Sequence, residues 1–262
     1  MSASIHPLAV ISPQAEISDG VKIGPYCFVD GDAKIGEGTE LVAFVSVHGH
    51  VTVGKNCKIC EHTAIGGDPQ DHSYHGEVSY VRIGDNTLLR ETVTINRATG
   101  EGNTTVVGND CFIMEGVHFA HNVQVGDYVT VANKVGLSGF VEVGSHTVFG
   151  GMAGVHQFVR IGEYCMIGGL YRVSKDIPHY TLASGEPLRL TGLNKVGLQR
   201  GGFTAETVKE VYRFYRWLYR KDARFSDSLS EAITRKDEYI PEIRKVIEFY
   251  EGTKRGVTFW GK

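Results

Sequence analysis

No stretch of this 262-residue chain is long and apolar enough to cross a bilayer, which excludes an ordinary transmembrane helix. A secretory leader is not expected either, since a structural repeat begins almost at the first residue. The expectation is a soluble, cytoplasmic protein with no stable membrane insertion. Cysteine is scarce: five are present, and the C-x-x-C of Cys57 and Cys60 has no second pair with which to build a zinc site. No metal is expected. The net charge is only −3, and no nucleic-acid partner is expected.

What the chain does have is a register of six. Every sixth position from Ile5 to Val173 makes 29 sites, and 26 of them carry Ile, Val, Leu or Phe. The exceptions, Asp71, Glu77 and Glu101, fall in two polar stretches, around 70 to 80 and 97 to 104, which read as loops extruded from a continuous array. A period of six is neither the alternation of a half-buried strand nor the spacing of a helix; it is a solenoid period. Gly is frequent second in each hexad, where a tight corner needs positive φ or close backbone approach. A small or β-branched residue sits fifth. Cys27, Cys57, Cys111 and Cys165 all take that fifth place, so they read as packing thiols in a reducing compartment.

After Pro178 the register fades. Beyond Phe203 the spacing turns helical: Val208, Val211, Tyr212, Tyr215, Leu218 and Tyr219 form one stripe with Thr204 as N-cap, and Ile243, Val246, Ile247 and Tyr250 form another. Two domains are expected, a β-solenoid over 1–188 and a small helical domain over 189–262. The second carries 16 Lys and Arg against 10 Asp and Glu, the first 11 against 20, so +6 faces −9. Arg213, Arg216 and Arg220 fall on one helical face and could attract an acidic partner; a merely solvated face is the plainer reading.

Eleven histidines supply the candidate chemistry. With three hexads to a coil, residues 18 apart are vertical neighbours roughly 4.8 Å apart, as in any β ladder. That stacks His121, Gly139 and Gln157. A neutral imidazole can take a proton from an alcohol near neutral pH, and a glycine N–H one rung away could hold an oxyanion. A histidine hydrogen-bonded into the solenoid wall would produce the same pattern.

Four runs narrow the choice: Ile65 to Asp71, His118 to His121, Gly150 to Phe158 and Gly192 to Phe203. Together, in this order and over nearly the whole chain, they resemble the UDP-N-acetylglucosamine O-acyltransferases, a hexapeptide-repeat family of lipid A biosynthesis. The resemblance implies a mainly β protein, a left-handed parallel β-helix of triangular section followed by a small C-terminal α-helical domain. It implies transfer of an (R)-3-hydroxyacyl group from acyl carrier protein to the 3-position of a UDP-sugar in a homotrimer. No dissociable cofactor is implied, because the donor rides on the phosphopantetheine of the carrier protein. His121 matches the general base, Asn122 its neighbour and Gly139 the oxyanion donor. Gln70, Asp71, His118 and His156 match sugar contacts, Gln157 lies on the acyl-donor side, Asn194 and Arg200 match nucleotide contacts, and Gly169 matches the acyl-length ruler. The basic helices would receive the carrier protein.

Several positions depart from the family pattern. Asn122 stands where Asp is common, Ser73 for Lys, Phe140 for His, Gly201 for a second Arg, Val196 for an acidic residue and Pro187 for His. These bear on the substrate more than on the reaction class, and amide formation on a 3-amino sugar stays open. An acetyl-CoA-dependent hexapeptide enzyme is the other enzymatic alternative. A three-histidine metal site is weak, since 36 residues before His118 and His121 stand Arg82 and Asp85. A non-catalytic scaffold is the last alternative.

Overall fold

The structure, a computed structural model, describes residues 2–261. Most strands are two residues long and recur every hexad. They assemble into three parallel sheets that form the faces of a left-handed β-helix. The first face begins with Ser4–Ile5, the second with Val10–Ile11 and the third with Glu16–Ile17. Rungs pair at a spacing of 18: Ile5 with Ile23, Phe119 with Leu137, Leu137 with Val155. From Ile23 onwards the first-position residues point inward and stack into one core, with Phe119, Leu137 and Phe149 at most 1% exposed.

The fifth position closes the core with small groups that also hydrogen-bond. Thr39 Oγ1 donates to the Gly54 carbonyl at 2.8 Å and accepts the Cys57 N–H at 3.0 Å, while Cys57 Sγ reaches the Gly84 carbonyl at 3.1 Å. All five cysteines are free and buried.

Apart from Gly66 beside the first extruded loop, the second-position glycines within the regular coils do not adopt positive φ; they permit close approach, since a Cβ on Gly36 would lie 2.5 Å from the carbonyl carbon of Gly54. Positive φ falls instead on the fourth position, on non-glycine residues such as Tyr26, Phe44, Asn122 and Phe140. That conformation costs roughly 1–2 kcal/mol per residue. Stacking offsets part of it, at about 0.5–1.5 kcal/mol per aromatic pair: Tyr26 stacks on Phe44 at 4.8 Å, Tyr128 on His146 at 4.7 Å and Phe140 on Phe158 at 4.9 Å.

The register breaks twice. Ile59 pairs with Leu89, a spacing of 30 instead of 18, so 12 residues are extra; Val81 pairs with Thr105, a spacing of 24, so 6 are extra. The two extruded loops lie between Ala64–Gly67 and Tyr80–Ile83, and between Thr94–Asn96 and Thr104–Val107.

Above the last coil, Thr181–Ser184 and Arg189–Leu193 form an antiparallel hairpin that completes the first face. The 188/189 division falls in its turn. Helices α1 (Lys195–Arg200), α2 (Ala205–Leu218), α3 (Phe225–Thr234) and α4 (Pro241–Glu251) follow around a second core of Tyr180, Phe214, Tyr215, Leu218, Val246 and Ile247. Thr204 caps α2 by accepting the Thr207 N–H at 3.1 Å, as its position implied. Two expectations need correction. Tyr212 is 37% exposed and Phe214 takes its place in the stripe. Arg220 lies beyond the end of α2, over Trp217 at 4.5 Å and paired with Glu231 at 3.4 Å, so the arginine face reduces to Arg213 and Arg216.

Candidate active site

His121 stands at the corner between the second and third faces, just after the strand His118–Phe119, and is 5% exposed. Its carbonyl accepts the Phe140 N–H at 3.1 Å, and the Gly139 carbonyl accepts the Phe158 N–H at 3.1 Å. These two bonds make the column of His121, Gly139 and Gln157 real. The glycine is forced by the imidazole, because a Cβ on Gly139 would sit 2.5 Å from Cε1 and 2.6 Å from Nε2 of His121. Among the described residues, the Gly139 N–H has no hydrogen-bond partner.

A cavity of about 570 Å³ opens in front of this column. Gln70, His118, His121, Gly139, His156 and Gln157 line it, and Gly136, Gly154 and Leu137 make its floor. The second face is flat there because its outward residues are glycines one rung apart, Gly136 paired with Gly154. Ser138 and Arg172 also line the cavity and were not singled out in the sequence. Arg172 pairs with Gly154 at the top of that glycine column, and a charge ending a run of glycines is the signal that could have found it.

The extruded loops wall in the lower side. Asp71 Oδ2 lies 3.5 Å from His121 Nε2. The Ser73 N–H donates to the Asp71 carboxylate at 2.9 Å and holds this carboxyl below its ordinary range. The loop keeps its place through Arg97, which donates to Asp68 at 2.5 Å and to the Tyr74 hydroxyl at 2.7 Å. Glu77 accepts the Gly100 N–H at 2.9 Å and Glu101 accepts the Val78 N–H at 3.1 Å, tying one loop to the other. Glu77 and Glu101, polar exceptions in the register, are therefore the clasps of the site.

His118 Nδ1 lies 2.8 Å from Thr94 Oγ1, and burial lowers the pKa of its ring, so it is neutral at pH 7. His156 Nδ1 meets the Gln157 carbonyl at 3.1 Å, which requires a proton on that nitrogen. Asn122 Oδ1 lies 2.9 Å from His121 Nδ1, so the neutral amide does contact the ring.

Three expected residues lie elsewhere. Asn194 and Arg200 sit at the two ends of α1, and Asn194 spends its side chain locally, accepting the Gly197 N–H at 3.1 Å and donating to the Tyr164 carbonyl at 2.9 Å. Tyr164 belongs to the corner between the third and first faces, so neither residue reaches the His121 cavity of the same chain. Gly169 occupies the corner between the first and second faces, directly against Gly151. Chemically, the cavity offers a buried histidine, an unpaired backbone N–H one rung above it, and a polar rim sized for a sugar.

Residues 176–258 match the family described as Udp N-acetylglucosamine O-acyltransferase, Domain 2, and residues 104–139 match the bacterial transferase hexapeptide. An acyl-[acyl-carrier-protein]–UDP-N-acetylglucosamine O-acyltransferase of Sulfurihydrogenibium is 51% identical over 257 residues, 97% of this chain and 93% of the relative. The enzyme of that name from Thermodesulfovibrio yellowstonii is 44% identical over 97% of this chain and 98% of its own. The crystal structure of a UDP-N-acetylglucosamine acyltransferase from Bacteroides fragilis superposes with a TM-score of 0.92 at 36% identity, covering 97% of this chain and 99% of that one. The chain belongs to the UDP-N-acetylglucosamine O-acyltransferase family.

Proposed function

We propose that this enzyme transfers an (R)-3-hydroxyacyl group from acyl carrier protein to the 3-hydroxyl of UDP-N-acetylglucosamine, the entry reaction of lipid A biosynthesis. The observation that carries the reading is the pairing of a buried base, His121, with the unpaired N–H of Gly139 in one cavity.

In the proposed step, His121 Nε2 takes the proton of the sugar hydroxyl as its oxygen attacks the thioester carbonyl. The C–O bond forms, and the charge that develops on the carbonyl oxygen is met by the Gly139 N–H. The intermediate collapses by breaking the C–S bond, and the imidazolium returns its proton to the departing thiolate. The thioester is already activated, so the step calls for no metal and no cofactor beyond the carrier's phosphopantetheine. Asp71, Gln70, His118 and His156 hold the sugar, with Gln157 toward the acyl donor.

The working form is a homotrimer. Asn194 and Arg200 sit on a corner remote from their own chain's cavity, which fits delivery to the cavity of a neighbouring copy, where Arg200 would meet the diphosphate. The exposed Arg213 and Arg216 on α2 fit an acidic carrier protein. A cytoplasmic location follows from the same substrates.

Mass-spectrometric product detection tests the reading, using purified protein, hydroxyacyl carrier proteins of several lengths, and both UDP-N-acetylglucosamine and its 3-amino analogue. Ester from the normal sugar, reduced at least about 100-fold by His121→Ala, is expected. Amide alone would change the substrate, and no product from either sugar would overturn the assignment.

A further inference from the structure

The proposed step needs the lone pair of His121 on Nε2. Asn122 Oδ1, 2.9 Å from His121 Nδ1, also receives the Thr99 backbone N–H at 2.9 Å and the Thr99 hydroxyl at 2.9 Å. At the other end of the amide, Asn122 Nδ2 donates to the Thr99 carbonyl at 3.1 Å. A backbone N–H can only donate and a carbonyl can only accept, so these contacts decide which end of the amide is oxygen. The oxygen is the end turned to His121. A ring nitrogen facing that oxygen must carry a proton, so in the neutral ring Nε2 is left unprotonated toward the cavity, against the pull of the acceptor Asp71 Oδ2 3.5 Å away.

Nothing in an isolated asparagine–histidine pair would ensure this. A free imidazole prefers its proton on Nε2, the tautomer that cannot act as base here, and an unguided amide could satisfy that tautomer simply by turning over. A carboxylate at position 122 would have no such ambiguity, because its two ends are alike. His121, Asn122 and Thr99 are 5%, 8% and 8% exposed, so water competes little. The Asn122 main chain is fixed as well, donating to Thr105 Oγ1 of the strand Thr104–Val107 at 2.8 Å. Thr99 reaches the amide only because the six extra residues between Thr94–Asn96 and Thr104–Val107 fold beneath it.

We propose that Thr99 is a positioning residue: it sets the orientation of the Asn122 amide and, through it, the tautomer of His121. The proposal rests on His121 acting as the base of the acyl transfer. ¹⁵N NMR of the histidine rings at about pH 8.5, where an ordinary imidazole is neutral, reads the tautomer without any substrate. The wild-type protein is expected to show Nδ1–H at His121. Thr99→Val keeps the backbone N–H and carbonyl that orient the amide, so the Nδ1–H form is expected to persist with kcat within about threefold; Thr99→Pro, which removes the N–H as well as the hydroxyl, is expected to admit the Nε2–H form and to lower kcat about threefold to tenfold, with KM within about twofold. In an Asn122→Asp background the same Thr99→Pro change should cost less than about twofold, since the carboxylate needs no orienting. An Nε2–H tautomer in the wild type would overturn the proposal, as would Thr99→Pro with unchanged tautomer and rate. If Thr99→Pro fails to fold, the wild-type tautomer decides the matter alone. A protein that shows Nδ1–H yet transfers no acyl group would sink the acyl-transfer reading and leave the tautomer lock standing.

Discussion

Gly139 packs directly against the imidazole of His121: a methyl in place of the glycine hydrogen would meet Cε1 at 2.5 Å and Nε2 at 2.6 Å. Gly139 does not have positive φ, so alanine fits its backbone and only the ring must move. Gly139→Ala should therefore lower kcat by at least about tenfold, because a displaced base loses near-attack geometry. Melting should shift little. Steady-state kinetics beside a thermal melt check this; a large melting loss with normal turnover would show the glycine to be structural.

His179 makes stability depend on pH. Burial, helped by the positive charges of Lys245 and Arg160, lowers its pKa from 6.5 to about 3, and its Nδ1 accepts the Glu163 N–H at 2.8 Å. Above pH 6.5 the ring is neutral in both folded and unfolded chains and contributes no pH dependence. As pH falls from 6.5 toward 3, the unfolded chain takes up a proton that the folded one refuses, so stability declines by up to about 1.4 kcal/mol per pH unit. Thermal melts from neutral pH downward should show this slope, and His179→Gln should flatten it. Equal slopes in the two proteins would refute the assignment.

Gly169 tests the acyl groove. A Cβ there would lie 2.9 Å from the Gly151 carbonyl oxygen, so any side chain at 169 obliges the backbone of this corner to shift. Gly169→Met is expected to discriminate against long donors while sparing short ones, read as the product ratio in a competition between carrier proteins of two chain lengths. Undiminished use of long donors would move the ruler elsewhere.

The cysteines should be chemically silent. Burial pushes the thiol of Cys111 up to about 11 and that of Cys165 up to about 12, and thiolate is the reactive form. A thiol reagent at neutral pH should label none of the five in the folded protein and all of them in denaturant. Rapid labelling of folded protein would contradict their role as core packing.

The hexad shows why so much of the fold was legible. A solenoid rung contacts only its neighbours, so one residue in six sufficed to identify the core, and the spacing of 18 placed Gly139 and Gln157 above His121. The two loops were visible as interruptions of that register at Asp71, Glu77 and Glu101. The hairpin of Thr181–Ser184 and Arg189–Leu193 was not legible, because its apolar residues serve a sheet on one side and helices on the other. Helix α3 was missed as well. It buries Ser228 and Ala232, whose small side chains make no hydrophobic stripe.

The sequence by itself determined the solenoid, the core, the helical cap and the column that holds the base, because all of these follow from periodicity and near-neighbour spacing. Only the tertiary structure decided how the extruded loops return to the coil. Loop residues have no register, so nothing in their spacing says that Arg97 clamps Asp68, that Asp71 faces His121, or that Thr99 closes on Asn122. Those contacts depend on where loop ends are anchored in space, and the anchors are rungs separated in sequence by 24 and 30 residues.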